Sequence, residues 1–225
     1  MTIARPLLNV AFVTSLVASL AFSLFTVGNA ADLVELPASA EETNPLRTGD
    51  RAPAFVVRTV EGKDYEFDPA TLARPTVLIS FRGGWCPYCN LHLSELRSVI
   101  PGIRELGYDV LFLSNDRPDQ LYSGLARETR EDIAALDYTI LSDANLDAAR
   151  ALGTAFRTTQ GLENYLDGKE RDYEDSSIDK FKALGVPFVY VVDRDGMIVY
   201  DFVESNYKVR LSAEDLHAVA LKSAP

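Results

Sequence analysis

The sequence predicts an α/β fold, a central mixed sheet flanked by helices. Short apolar runs suited to buried strands alternate with helical stretches along most of the chain. The last two strand-like runs are joined by a tight turn and so lie antiparallel, which makes the sheet mixed. With 47% hydrophobic and 24% charged residues in 225, the composition is that of a globular domain, not of a disordered chain.

Phe55-Val56-Val57 and Tyr65-Glu66-Phe67 flank Glu61-Gly62-Lys63, which predicts a hairpin. Thr76-Val77-Leu78-Ile79-Ser80-Phe81 is nearly continuous in apolar side chains, as expected of a strand covered on both faces. A helix follows over residues 87–106, with Leu91, Leu93, Leu96, Val99, Ile100 and Ile103 available for its inner face and Pro101 expected to bend it. Val110-Leu111-Phe112-Leu113 is the next buried strand. A helix over 119–130, a strand over 138–141 and a helix over 146–152 continue the alternation, which favours parallel pairing through right-handed crossovers. Residues 155–180 are polar and without a clear period, and are expected to form a surface insertion. Strands over 188–192 and 197–202 enclose Asp193-Arg194-Asp195-Gly196, a hairpin turn. Ser212-Ala213-Glu214-Asp215 opens the last helix as a capping box, with Leu211 placed to staple onto Leu216.

The first thirty residues stand apart. Arg5 precedes an uncharged, mostly apolar run over 7–27, and Gly28-Asn29-Ala30-Ala31 supplies small residues after it. That order is a secretory signal's. The run also approaches the ~20 residues that span a bilayer, so a retained membrane anchor is the alternative. Either reading exports the domain, to the periplasm if the segment is cleaved, or to the outer face of the inner membrane if it is kept. Residues 31–45 read as a linker, and the folded domain is expected over 46–225.

Charge narrows the partners. Lys and Arg total 22 against 33 Asp and Glu, a net charge of -11. Nucleic-acid backbones and anionic surfaces repel such a protein, so no nucleic-acid partner is expected. Two cysteines and two histidines leave little for a metal centre or a disulfide framework, and no cofactor is expected.

Both cysteines fall in Trp85-Cys86-Pro87-Tyr88-Cys89, directly after the buried strand and at the start of the long helix. A thiolate at a helix N-terminus faces unpaired N–H groups and the positive end of the dipole, which lower its pKa. Pro87 suits the first turn because its missing N–H has no intrahelical role. Cys89, three residues on, is within reach of Cys86. The expected division is an exposed, acidic attacker (Cys86) and a more buried resolver (Cys89). A structural disulfide is the plain alternative, but so short a loop removes little unfolded-state entropy. His92 keeps a soft copper site conceivable as a non-enzymatic alternative, although its ordinary role is that of a solvated helix residue.

These residues resemble the thioredoxin superfamily. Val77-Leu78-Ile79-Ser80-Phe81 leading into Trp85-Cys86-Pro87-Tyr88-Cys89 looks like its active-site strand and dithiol. Gly49-Asp50-Arg51-Ala52-Pro53-Ala54-Phe55 resembles the opening of AhpC/TSA redoxins and peroxiredoxins. Gly185-Val186-Pro187-Phe188 is similar to the stretch in which those proteins place a cis-proline beside the dithiol. The resemblance implies a thioredoxin-like fold, a cis Pro187, and a Val186 backbone held open for an extended substrate. Two departures stand out. Ser80 occupies the position at which thioredoxins bury an acid, and Gly83 stands where peroxiredoxins carry a hydroxyl. Arg82 is a candidate to stabilise a thiolate or a peroxide oxygen. The implied function is a thiol–disulfide oxidoreductase acting on a disulfide-bearing protein. The alternative is an antioxidant peroxidase that reduces a hydroperoxide. Either needs a thiol electron donor, which the sequence does not name.

Overall fold

The computed structural model describes residues 1–2 and 35–223. The signal or anchor expected over 1–30 lies outside the described residues. Among those described, no helix is long and apolar enough to cross a membrane.

After a 3-10 turn at Ala40–Glu42, the elements run β1 (Phe55–Arg58), β2 (Asp64–Phe67), β3 (Thr76–Phe81), α1 (Pro87–Leu96), α2 (Ile100–Glu105), β4 (Asp109–Ser114), α3 (Gln120–Ser123), α4 (Arg127–Ile133), β5 (Thr139–Ser142) and α5 (Asp147–Ala151). They continue with β6 (Ala155–Arg157), α6 (Gln160–Gly168), α7 (Ser177–Phe181), β7 (Ala183–Gly185), β8 (Phe188–Val192), β9 (Ile198–Val203) and α8 (Ala213–Lys222). Seven strands form one sheet in the order β2-β1-β5-β4-β3-β8-β9, and β6 pairs with β7 in a second, two-stranded sheet. In the large sheet β3, β4 and β5 are parallel, with β4 and β5 each reached through helices, while β8, β9, β1 and β2 join antiparallel.

Alternation along β3 divides the core between the two faces. Val77, Ile79 and Phe81 pack with Leu93, Leu96, Ile100 and Leu216 from the helices, and Leu78 packs with Leu111, Phe188 and Tyr190 on the other side. A strand covered on both faces needs apolar residues at odd and even positions alike, which explains the unbroken run.

Several expectations are corrected. The long helix divides at residues 97–99, and Pro101 sits in the first turn of α2, where its missing N–H costs nothing. Leu91 is solvent-exposed and leaves the inner face to Leu93, Leu96, Ile100 and Ile103. The helix expected over 119–130 also breaks. Gly124 ends α3, and α4 restarts after Ala126, whose N–H donates to the Asn90 side chain. The break lets the Gly124 backbone lie against Gly84, where an added Cβ would come within 2.3 Å of the Gly124 carbonyl carbon. Residues 155–180 contain β6, α6 and most of α7, with Leu166 and Ile178 buried in the core. Just before the domain, the Pro37 carbonyl accepts the Arg157 N–H.

The Val186–Pro187 bond is trans; none of the described peptide bonds is cis. Trans is the lower-energy isomer, and Ser80 fastens the chain on both sides of the proline. Its hydroxyl donates to Val186 O (3.4 Å) and accepts from Phe188 N (3.0 Å). The Val186 N–H donates to Thr154 O at 2.9 Å. Both polar groups of Val186 are therefore used within the chain, and its backbone is not held open for a substrate strand.

Candidate active site

Cys86 is the N-cap of α1, in extended conformation, and Pro87 opens the first turn. The Cys86 carbonyl accepts the N–H groups of Cys89 and Asn90, each at 3.1 Å, so the two cysteines share one turn. Both are free thiols. The loop that delivers them is fixed from two directions. Asp116, at the end of β4, accepts the Gly84 N–H at 2.6 Å and the Ser114 hydroxyl at 3.2 Å. Asn90 donates to the Gly84 and Cys86 carbonyls at 2.6 and 3.0 Å.

The two sulfurs are electrostatically unlike. The Cys86 thiol is lowered to about 6, first by the hydrogen bond from the Cys89 side chain, with help from Arg82, the Cys89 N–H and Arg210, and against burial, which raises it. Cys89 moves the other way. Burial pushes it well up, and so do the bond to Cys86 and its charge, while Arg210 and the Arg82 N–H offset part of the rise. The expected division between an acidic and a reluctant thiol is present. The expected exposure is not, because Cys86 and Cys89 are each only 1% exposed.

The segment between β9 and α8 packs against the residues around the dithiol. Tyr207 lies on one side of the Arg82 guanidinium at 4.2 Å, with Trp85 also at 4.9 Å, and it meets Tyr88 edge-on at 5.8 Å. Lys208 stands over the Tyr88 and Tyr207 rings. Two residues on, Arg210 Nη2 donates to Cys89 Sγ at 3.3 Å. Arg82 is thus a half-buried stacked cation and not a free strand-end charge. Its Nε, the Trp85 Nε1 and the Arg210 Nε are all buried without a hydrogen-bond partner. A cleft of about 250 Å³ shares Arg82, Pro187 and Tyr207 with this region, and Phe156, Thr158 and Leu162 from around β6 and α6 form another wall.

His92 is buried, contrary to expectation, and its Nε2 lies 3.0 Å from Leu211 O. Burial first, then the Arg210 charge, lowers its pKa to about 4, so the ring is neutral and Nε2–H donates to that carbonyl. That Nε2 is committed to the backbone instead of to a metal shared with the thiols. A signal for this was available, since His92 lies with Cys89, Leu93 and Leu96 on one helical face. The structure therefore gathers Arg82, Trp85, Cys86, Pro87, Tyr88 and Cys89 and sets Pro187 on the adjoining cleft. Sequence reasoning missed Asn90, Asp116, Tyr207 and Arg210. Each acts through a contact distant in sequence or through a polar side chain with no motif.

Residues 48–201 match the family model described as AhpC/TSA family. Peroxiredoxin Bcp of Escherichia coli (strain K12) is 24% identical over 167 residues, 73% of this chain and 92% of that protein. Thiol-disulfide oxidoreductase ResA of Bacillus thuringiensis (strain Al Hakam) is 31% identical over 74 residues, 33% of this chain and 42% of its own. Among solved structures, peroxidoxin BcpB from Mycobacterium tuberculosis superposes with a TM-score of 0.55 at 19% identity, covering 80% of this chain and 99% of that one. Peroxiredoxin 5 from Alvinella pompejana gives 0.58 at 18% identity, covering 80% and 100%. At these identities the structural likeness establishes the fold, a thioredoxin-like mixed sheet flanked by helices.

Proposed function

The chain belongs to the AhpC/TSA family, and from that premise we propose that it is an exported thiol–disulfide oxidoreductase working through Cys86 and Cys89. The observation that carries this reading is the pair of free thiols in one helical turn, with Cys86 at the N-cap of α1. The Cys86 thiolate attacks a substrate disulfide, a mixed disulfide forms, and the first substrate thiol leaves. Cys89 then attacks Cys86 Sγ, closing the intramolecular disulfide and releasing the second thiol. A thiol donor of the compartment restores the reduced form. Gly83 offers no hydroxyl for a peroxide, which favours disulfide exchange. Export rests on the signal-like order of residues 1–30, whether cleaved in the periplasm or kept as an anchor.

The near-complete burial of Cys86 favours a second reading. A small hydroperoxide reaches a covered sulfur more readily than a folded client. In that case the Cys86 thiolate attacks the hydroperoxide, the O–O bond breaks and the alcohol leaves, and Cys89 condenses with the resulting sulfenic acid to give disulfide and water.

A paired assay separates the two. Insulin-disulfide reduction and dithiol-driven peroxide consumption are measured for wild type, Cys86→Ser and Cys89→Ser. Disulfide exchange requires insulin reduction that disappears in Cys86→Ser. Peroxide consumption lost in Cys86→Ser, with no insulin reduction in any form, replaces it by the second reading.

A further inference from the structure

Resolution needs Cys89 as a thiolate at the moment when Cys86 has ceased to be one. Burial opposes this more strongly than any other influence on Cys89. The Ser80 hydroxyl is engaged between Val186 O and Phe188 N. Asp116 Oδ2 accepts from Gly84 N and the Ser114 hydroxyl, and His92 Nε2 donates to Leu211 O, so none of these contacts is made to Cys89 Sγ. The cation hydrogen-bonded to the sulfur is Arg210, whose Nη2 is 3.3 Å from Cys89 Sγ. Arg210 is held from the following residue, because the Leu211 carbonyl is tied to His92 on α1 and the Leu211 side chain is buried in the core. Its Nε is buried without a partner, so the guanidinium is turned into the site, not paired in solvent.

We propose that Arg210 is the catalytic residue of the resolving step, holding Cys89 Sγ as a thiolate once Cys86 is tied up in a mixed disulfide. The proposal rests on the disulfide-exchange reading above. Before attack, Arg210 polarises the Cys89 thiol that hydrogen-bonds the Cys86 thiolate. After attack that anion is gone, and Arg210 is the cation left in contact with Cys89. Cys89 gives its proton to solvent and attacks Cys86 Sγ. The S–S bond to the substrate breaks as the Cys86–Cys89 bond forms, and the departing thiolate takes a proton. The substrate disulfide gains two electrons and the dithiol loses two. The groups acting on Cys89 through this step are Cys86, the Arg82 N–H and Arg210, and His92, which also feels the Arg210 charge, is neutral.

The test follows nitrothiobenzoate release when the reduced full chain reacts with dithiobis(nitrobenzoate). The first release reports Cys86 attack and accelerates with reagent concentration. The second reports Cys89 attack and is independent of it. Because hydrogen bonds to charged groups are stronger than neutral ones, Arg210→Gln is expected to slow the second release by about tenfold or more at neutral pH. The first release should change by less than about threefold, since Arg210 is the weakest of the influences on Cys86. The second-release defect should shrink as pH rises and Cys89 ionises unaided, and Arg210→Lys should recover part of the rate. If Arg210→Gln fails to fold, Arg210→Lys carries the same comparison with a smaller slowing. An unchanged second release, or both releases slowed alike at every pH, overturns the role of Arg210 alone. A first release that survives in Cys86→Ser overturns the disulfide-exchange reading and takes this proposal with it.

Discussion

Tyr207 stacks on Arg82, its ring centroid 4.2 Å from the guanidinium carbon, and so joins the β9–α8 segment to the end of β3 beside the dithiol. The aromatic face supplies the negative potential that an arginine without a carboxylate partner lacks. The same ring meets Tyr88, two residues past Cys86, edge-on at 5.8 Å.

Removing the ring should therefore expose Cys86. A partly desolvated cation–π pair contributes about 1–2 kcal/mol, so Tyr207→Ala should raise the iodoacetamide labelling rate of Cys86 by up to roughly tenfold. Mass-resolved labelling at a fixed pH checks this; an unchanged rate means that Tyr207 gives no cover.

Labelling should also titrate. With Cys86 lowered to about 6, its alkylation rate in the reduced protein should rise through a midpoint near that pH. The hydrogen bond from Cys89 is the largest cause of the lowering and Arg82 a smaller one. Cys89→Ala should move the midpoint upward more than Arg82→Gln does.

The same shift enters the stability of the reduced form. A thiol whose folded pKa is depressed favours the fold above its unfolded pKa, and the gain is lost as pH falls through the folded value near 6. From this group, the reduced protein should lose thermal stability between about pH 9, at the top of the unperturbed thiol range, and pH 6. Cys86→Ser, which lacks the ionisation, should lose less, and melting curves across that range decide it.

Gly84 tests the packing behind the loop. An added Cβ would sit 2.3 Å from the Gly124 carbonyl carbon, and backbone cannot yield as a side-chain tip can. Gly84→Ala should cost about 1–3 kcal/mol, as overpacking does, read by urea unfolding, and should slow the Cys86 reaction by displacing Trp85 and Cys86.

Ser80 tests what holds the chain around Pro187. Without its hydroxyl the Phe188 N–H is left unpaired in a covered position. Ser80→Ala should cost about 1–3 kcal/mol in urea unfolding. A loss under a few tenths would show that water replaces the hydroxyl.

Where the fold was legible in sequence, the controlling forces are local. The run over 77–81 announced a strand covered on both faces, and Asp193 to Gly196 announced a hairpin whose Asp193 carboxylate accepts the N–H groups of Asp195 and Met197. Ser212 capped its helix as read, accepting the Asp215 N–H. The helix over 119–130 is interrupted after Gly124, which closes the last turn of α3 through its N–H to Gln120 O and also lies against the backbone of Gly84, forty residues upstream, a contact no local pattern announces.

By itself the sequence determined the alternation of strands and helices, the place of Cys86 at a helix start, and the reach between Cys86 and Cys89. Each depends on residues within a few positions of one another. Only the tertiary structure decided that Cys86 is covered, that Pro187 is trans behind Ser80, and that Arg210 touches Cys89 across 121 positions. Such contacts exist only once the sheet has assembled and the β9–α8 segment has returned over α1. Burial and electrostatic fields belong to that assembled arrangement, and no local pattern encodes them.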